Sequence, residues 1–197
     1  YEARTLAFPG TLQSIDSKAF AYLNYNKTAY ITEVSIPASV TSLAKDAFYL
    51  ASGLKKINVA DGNAAYVSSN GIVMLKDTGE IYIWPQGNET TEFTLPSTMT
   101  EIPDKMFQNN TSLKKVVVPA SVTKVGTYAF SSSGIEEIYF EDSANGLTVG
   151  TFAFYNCPNL TSLRLPYGLT SIGASAISKT GLEPIVIPDT VPGLGGR

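Results

Sequence analysis

Histidine is absent from this 197-residue chain, and cysteine occurs once, at Cys157. Without histidine the chain lacks the commonest general base, any Ser-His or Cys-His nucleophile pair, and an imidazole for a transition metal. A single thiol excludes an intramolecular disulfide and every zinc site assembled from several Cys and His ligands. Neither a cation nor a base stands among Tyr155, Asn156 and Pro158, so Cys157 reads as a small buried apolar residue. Charge is also sparse, at 16% of residues against roughly 25% in an ordinary globular domain. The net charge of −3 offers no basic footprint for a nucleic acid. No stretch approaches the ~18 consecutive apolar residues of a membrane-crossing helix.

The 17 acidic residues leave paired-carboxylate glycoside hydrolysis open on composition alone. Their placement argues against it. Asp16, Asp46 and Asp104 recur just ahead of the same aromatic step, and Asp61 and Asp77 fall in loops, so they read as solvated structural carboxylates. Glu141-Asp142 with Asn145 lacks the ligand spacing of a calcium loop. The glycines form no phosphate-cradling motif after a strand. No cofactor is implied.

What the chain does contain is repetition. Val34-Ser35-Ile36-Pro37-Ala38-Ser39-Val40-Thr41-Ser42-Leu43, then Ala47-Phe48, matches Val116-Val117-Val118-Pro119-Ala120-Ser121-Val122-Thr123-Lys124-Val125, then Ala129-Phe130. A third copy runs from Leu163 through Pro166 and Ile172 to Ala176-Ile177. The marker dipeptides at Phe20, Phe48, Phe107, Phe130, Phe154 and Ile177 lie 28, 59, 23, 24 and 23 residues apart. A base period of 23 to 24 falls in the range of leucine-rich repeats, whose units bury their apolar faces only by stacking on neighbours. Each unit predicts a short strand of alternating β-branched residues, a proline that ends its ladder, and a second extended Val-Thr-x-Ile segment. An Ala-Phe step then opens an irregular or short helical turn. The expected fold is a right-handed leucine-rich-repeat solenoid of short strands, one continuous domain over 1–197 with a tail at 189–197.

The long interval between Phe48 and Phe107 holds two apolar runs flanking Asp77-Thr78-Gly79, which predicts a β-hairpin insertion at about 61–92. A smaller insert, rich in Tyr and Asn, spans Tyr22 to Tyr30.

The repeat, and the join Asn156-Cys157-Pro158-Asn159-Leu160-Thr161-Ser162-Leu163-Arg164-Leu165-Pro166, resemble the BspA-like (Treponema pallidum type) leucine-rich repeats of bacterial surface proteins. The resemblance runs from Leu6 to Pro188 and weakens at Met106, Glu141 and Ile177, which stand for Ala, Pro and Phe. It implies an extracellular or cell-surface protein whose precursor carries an export signal that is not visible in this chain; neither end reads as a polar cap, so fragment boundaries are expected.

Outward strand positions of stacked repeats align into columns. One column should run Ser35, Asn58, Thr94, Val117, Tyr139, Arg164, Val186; its neighbour Glu33, Lys56, Glu92, Lys115, Glu137, Ser162, Pro184. The first grows bulkier toward Val117, Tyr139 and Arg164, with Glu137 beside them, and Tyr and Arg are enriched at the energetic centres of interfaces. This is the candidate binding face. The alternative is the insert, which carries Tyr66, Tyr82 and the only tryptophan, Trp84; those rings serve a ligand or pack the hairpin down.

The leading expectation is thus a non-catalytic protein-binding module, not an enzyme. The family resemblance implies adhesion to host or matrix proteins. A structural spacer without a ligand is the second reading, and a glycoside hydrolase a distant third.

Overall fold

The computed structural model describes residues 4–24, 30–143 and 145–183, in two compact units, Tyr1–Glu89 and Thr90–Arg197. Val186, Pro184, the tail and much of the Tyr22 to Tyr30 insert lie outside the described residues.

In the second unit each repeat contributes one strand to each of two parallel sheets. The first sheet is built from β9 (Glu92–Thr94), β11 (Lys115–Val118), β13 (Glu137–Phe140) and β15 (Ser162–Arg164), hydrogen-bonded in that order. The second is built from β10 (Glu101–Ile102), β12 (Lys124–Val125), β14 (Leu147–Val149) and β16 (Leu169–Ile172). Inward Val116, Val118, Ile138, Ile102 and Val125 are completely buried, while Lys115, Val117, Glu137, Tyr139, Glu101 and Lys124 beside them in the strands are partly or fully exposed. This is the period-two pattern of a strand with one covered face. Leucine-rich-repeat solenoid geometry is the result.

The aromatic step completes the core. Phe107, Phe130 and Phe154 have no exposed surface, and their rings stack with centroids 4.8 and 5.4 Å apart. Ala129 and Ala153 beside them are fully buried as well. The turn holding this step is not a helix; none occurs among the described residues. Each turn instead carries two left-handed residues four apart: Lys105 and Asn109, Tyr128 and Ser132, Phe152 and Asn156, Ser175 and Lys179, with φ between 53° and 62°. Left-handed L-residues cannot extend a right-handed helix. The freed amides bond between coils: Phe107 donates to the Ala129 carbonyl at 2.7 Å, Phe130 to Ala153 at 2.8 Å and Phe154 to Ala176 at 2.7 Å. Gly126 and Gly173 are required by this close approach, because an added Cβ would sit 2.5 Å from the backbone nitrogen of Asp104 or Thr151. At Glu141, where neighbouring repeats have proline, the backbone N–H donates to the Val118 carbonyl at 2.9 Å.

The first unit starts the same way. Strands β1 (Arg4–Ala7), β3 (Ile31–Ile36) and β5 (Lys56–Val59) form one parallel sheet, and β2 (Ser14–Ile15) pairs with β4 (Ser42–Leu43). The insert then holds the expected hairpin and one strand more. It is a three-stranded antiparallel meander of β6 (Tyr66–Ser69), β7 (Ile72–Leu75) and β8 (Ile81–Ile83). The anticipated turn lies between β7 and β8, with Gly79 at φ 72°. A second turn at Asn70-Gly71, φ 51° and 76°, splits what reads in sequence as one apolar run. Asn-Gly is the pair that tolerates two positive φ values in a tight hairpin.

Candidate functional site

Both predicted columns form within each unit. In the first, Glu33 pairs with Lys56 and Ser35 with Asn58. In the second, Thr94, Val117, Tyr139 and Arg164 stand in register on successive strands, as do Glu92, Lys115, Glu137 and Ser162. Parallel pairing places such residues side by side on one face, so the sheet joins what the sequence keeps more than twenty residues apart.

The face has a definite geometry. Val117 is half-buried and Tyr139 is 39% exposed. The Arg164 guanidinium lies over the Tyr139 ring, 4.7 Å from its centroid. Its Nη1 donates to the Phe140 carbonyl at 2.5 Å, and its Nη2 donates to Asp142 Oδ2 at 2.7 Å. The flat cation therefore uses its face on the ring and its edge on two oxygens. Arg164 holds the Asp142 carboxyl below the usual carboxylate range through that hydrogen bond, and Asp142 in turn raises the guanidinium. Asp142 Oδ1 also accepts from the backbone N–H of Tyr167 at 3.4 Å. Glu137 accepts from Lys115 Nζ at 3.0 Å.

Tyr167 joins this cluster without having been singled out in the sequence. It is 67% exposed, the most exposed of the large hydrophobic residues described. A signal was present: the residue after the repeat proline is Gly10, Ala38, Ser97, Ala120 or Asp189 elsewhere, and a large ring only here.

Trp84 does not belong with these residues. It is only 6% exposed and lies in the first unit, beyond the end of β8, as part of its interior. Tyr66 is likewise buried, at 8%, and Tyr82 half-buried. The rings read as ligand candidates are turned inward because a three-stranded meander has an apolar face that must be covered. Tyr82 Oη donates to the Leu43 carbonyl at 2.6 Å, and the Leu43 N–H donates to Tyr66 Oη at 3.2 Å. Burial, with Tyr66 alongside, pushes the Tyr82 phenol up to about 12.

Two other features bear on chemistry. Thr148, Thr151 and Ser171 line a groove of about 420 Å³ along the second sheet, around Gly126, Gly150 and Gly173. No carboxylate lines it, so it is not a paired-acid cleft. Cys157 is fully buried; its thiol donates to the Phe130 carbonyl at 3.0 Å, and burial pushes its ionisation up, away from the reactive thiolate. Among the described residues no group of three or more Cys, Asp or Glu is placed to hold a metal ion. No helix there is long and apolar enough to cross a membrane.

Comparison with known proteins agrees with this architecture. No curated protein sequence matches the chain. Among solved structures, the pneumococcal vaccine antigen PcpA superposes with a TM-score of 0.68 at 25% identity, covering 86% of this chain and 46% of its own. A leucine-rich cell surface protein from Faecalibacterium prausnitzii gives 0.64 at 21% identity, covering 89% and 57%. A leucine-rich-repeat protein from Bacteroides ovatus gives 0.64 at 24%, covering 95% and 52%. The chain thus spans about half the length of these solved proteins. The model of the BspA type leucine rich repeat region matches residues 2–72 and 82–196, in six copies. With its stacked parallel strands, its buried phenylalanine ladder and this match over most of its length, the chain belongs to the BspA-type leucine-rich-repeat family.

Proposed function

We propose that this chain is a non-catalytic protein-binding module of a bacterial cell-surface or secreted protein, and that it adheres to host or matrix proteins through the outward face of the β9–β11–β13–β15 sheet. The observation that carries the proposal is the register of Val117, Tyr139 and Arg164 on adjacent strands, with Glu137 beside them. The repeat does not require these side chains, because the same column holds Ser35 and Asn58 in the first unit. The surface location of a relative, named as a leucine-rich cell surface protein, supports the same reading. The test is adhesion of the parent and of a Tyr139→Ala, Arg164→Ala double variant to coated matrix proteins. Loss of adhesion with a cooperative melt retained is expected, the melting temperature falling only by the few degrees that loss of the Arg164 hydrogen bonds accounts for. Equal adhesion by the double variant removes this face as the site. A parent that binds nothing across matrix proteins and glycans favours a structural spacer.

A further inference from the structure

In the cluster at the end of this sheet the charged groups are bound to one another, and the two tyrosines carry most of the exposed surface. Arg164 has its guanidinium face on Tyr139, Nη1 on the Phe140 carbonyl and Nη2 on Asp142. Asp142 divides its two oxygens between Arg164 and the backbone of Tyr167. One arginine–aspartate bracket therefore sets the attitude of Tyr139 and ties down the turn that carries Tyr167. Lys115, the other cation of this face, is tied to Glu137 at 3.0 Å. Among the described residues each cation of this face thus already has a carboxylate, and none of them is left unpaired for a polyanion. Its most exposed large side chains are two phenols on consecutive repeats, Tyr139 on β13 at 39% and Tyr167 in the turn after β15 at 67%.

From this we infer that Tyr139 and Tyr167 are the contact pair, that Arg164 is a positioning residue rather than a charge presented to the partner, and that the partner is a protein surface of uncharged apolar and amide groups. The inference rests on the proposed binding face and names its working parts. Tyrosine suits such a partner: each ring buries much apolar area at low entropic cost and keeps a hydroxyl for a backbone or amide hydrogen bond. A partner recognised by phosphate or sulfate groups would instead bind with steep salt dependence.

The experiment measures binding to surfaces coated with collagen, laminin, fibronectin or mucin, in 50 mM and 500 mM NaCl, with melting temperature followed in parallel. For the surface that retains the parent, affinity should change less than about 3-fold between the two salt concentrations. Tyr139→Ala and Tyr167→Ala should each weaken it by about 10-fold or more. Arg164→Lys keeps the charge but loses the planar fork, so it should weaken binding nearly as much as Arg164→Ala. Full binding by Arg164→Lys, an inert Tyr167→Ala, or a loss above about 100-fold in high salt overturns the inference while leaving the binding face in place. Unchanged binding by the Tyr139→Ala, Arg164→Ala double variant, or a parent retained on none of the four surfaces, removes the binding face and the inference with it.

Discussion

The two units are built from the same repeat and solve the same problem differently. In residues 90–183 the coils follow one another without interruption, and the second sheet reaches four strands. In residues 4–89 the corresponding ladder stops at two strands, β2 and β4, and the meander follows. The contrast is sharpest at one backbone position. In the second unit the Val125 carbonyl accepts from the N–H of Gly150 in the next coil at 2.8 Å. In the first unit the matching carbonyl, that of Leu43, accepts from the Tyr82 hydroxyl at 2.6 Å, while the Leu43 N–H donates to Tyr66. Two tyrosines of the insert do the work of an absent strand. A buried strand edge needs partners but does not need them to be backbone. The insert is therefore a substitute for a coil, which explains why its aromatics are not displayed.

The aromatic ladders differ in the same direction, and this sets the largest expected effect. Phe130 sits between Phe107 and Phe154 with no exposed surface, whereas Phe20 is only half-buried beside Phe8 and Phe48. Phe130→Ala should cost about 3–5 kcal/mol and Phe20→Ala clearly less. Urea unfolding of both variants checks this; equal losses would mean that the two ladders are energetically alike.

Glycine comes next. Position 126 is Gly in the second unit and its repeat equivalent, Ala44, already carries a Cβ in the first. Gly126→Ala drives a methyl to 2.5 Å from the Asp104 nitrogen and should cost about 1–3 kcal/mol. Ala44→Gly should cost no more than about 1 kcal/mol, through backbone entropy alone. Thermal melts of the pair decide whether the tight approach of coils is confined to the second unit.

Tyr82→Phe probes the substitute strand directly. Losing the hydroxyl leaves the Leu43 carbonyl without its donor and should cost about 1 kcal/mol near neutral pH. The effect should depend on pH with a definite sign. Folding raises this phenol to about 12 from an ordinary value near 10, so the folded state holds the proton longer than the unfolded chain does. That contribution is fully present below about pH 10 and is lost as pH climbs toward 12. Urea midpoints at pH 9 and 11.5 should fall less steeply for Tyr82→Phe than for the parent. Parallel slopes would show that Tyr82 does not carry the linkage.

The smallest contrast is between the charged columns. Lys56 and Glu33 approach to 3.7 Å in the first unit, and Lys115 and Glu137 to 3.0 Å in the second, all partly exposed. Lys56→Ala and Lys115→Ala should each change stability by less than about 1 kcal/mol, with Lys115→Ala the larger. Both effects should shrink in 0.5 M salt when measured by chemical denaturation.

Repetition in the sequence determined a good deal of this protein by itself. A 23- to 24-residue period with alternating β-branched positions implies stacked parallel strands, and the register of the markers then dictates which outward residues become neighbours. That is why Val117, Tyr139 and Arg164 could be placed side by side from spacing alone: one step along the solenoid carries each residue onto its copy. The burial of Phe130 and Cys157 was legible for the same reason, since a position recurring on the inward side has nowhere else to go. Only the tertiary structure decided what breaks the period. Asn70-Gly71 competes with Asp77-Thr78-Gly79 for the turn, and local propensity does not say that both are used. Tyr66, Tyr82 and Trp84 are equally compatible with display or burial until the meander has a partner surface, because a side chain's exposure depends on what is folded against it. Arg164 is the same case at the candidate site. Its charge is plain in the sequence, but its engagement by Tyr139, Phe140 and Asp142 follows from two strands and a turn meeting in space.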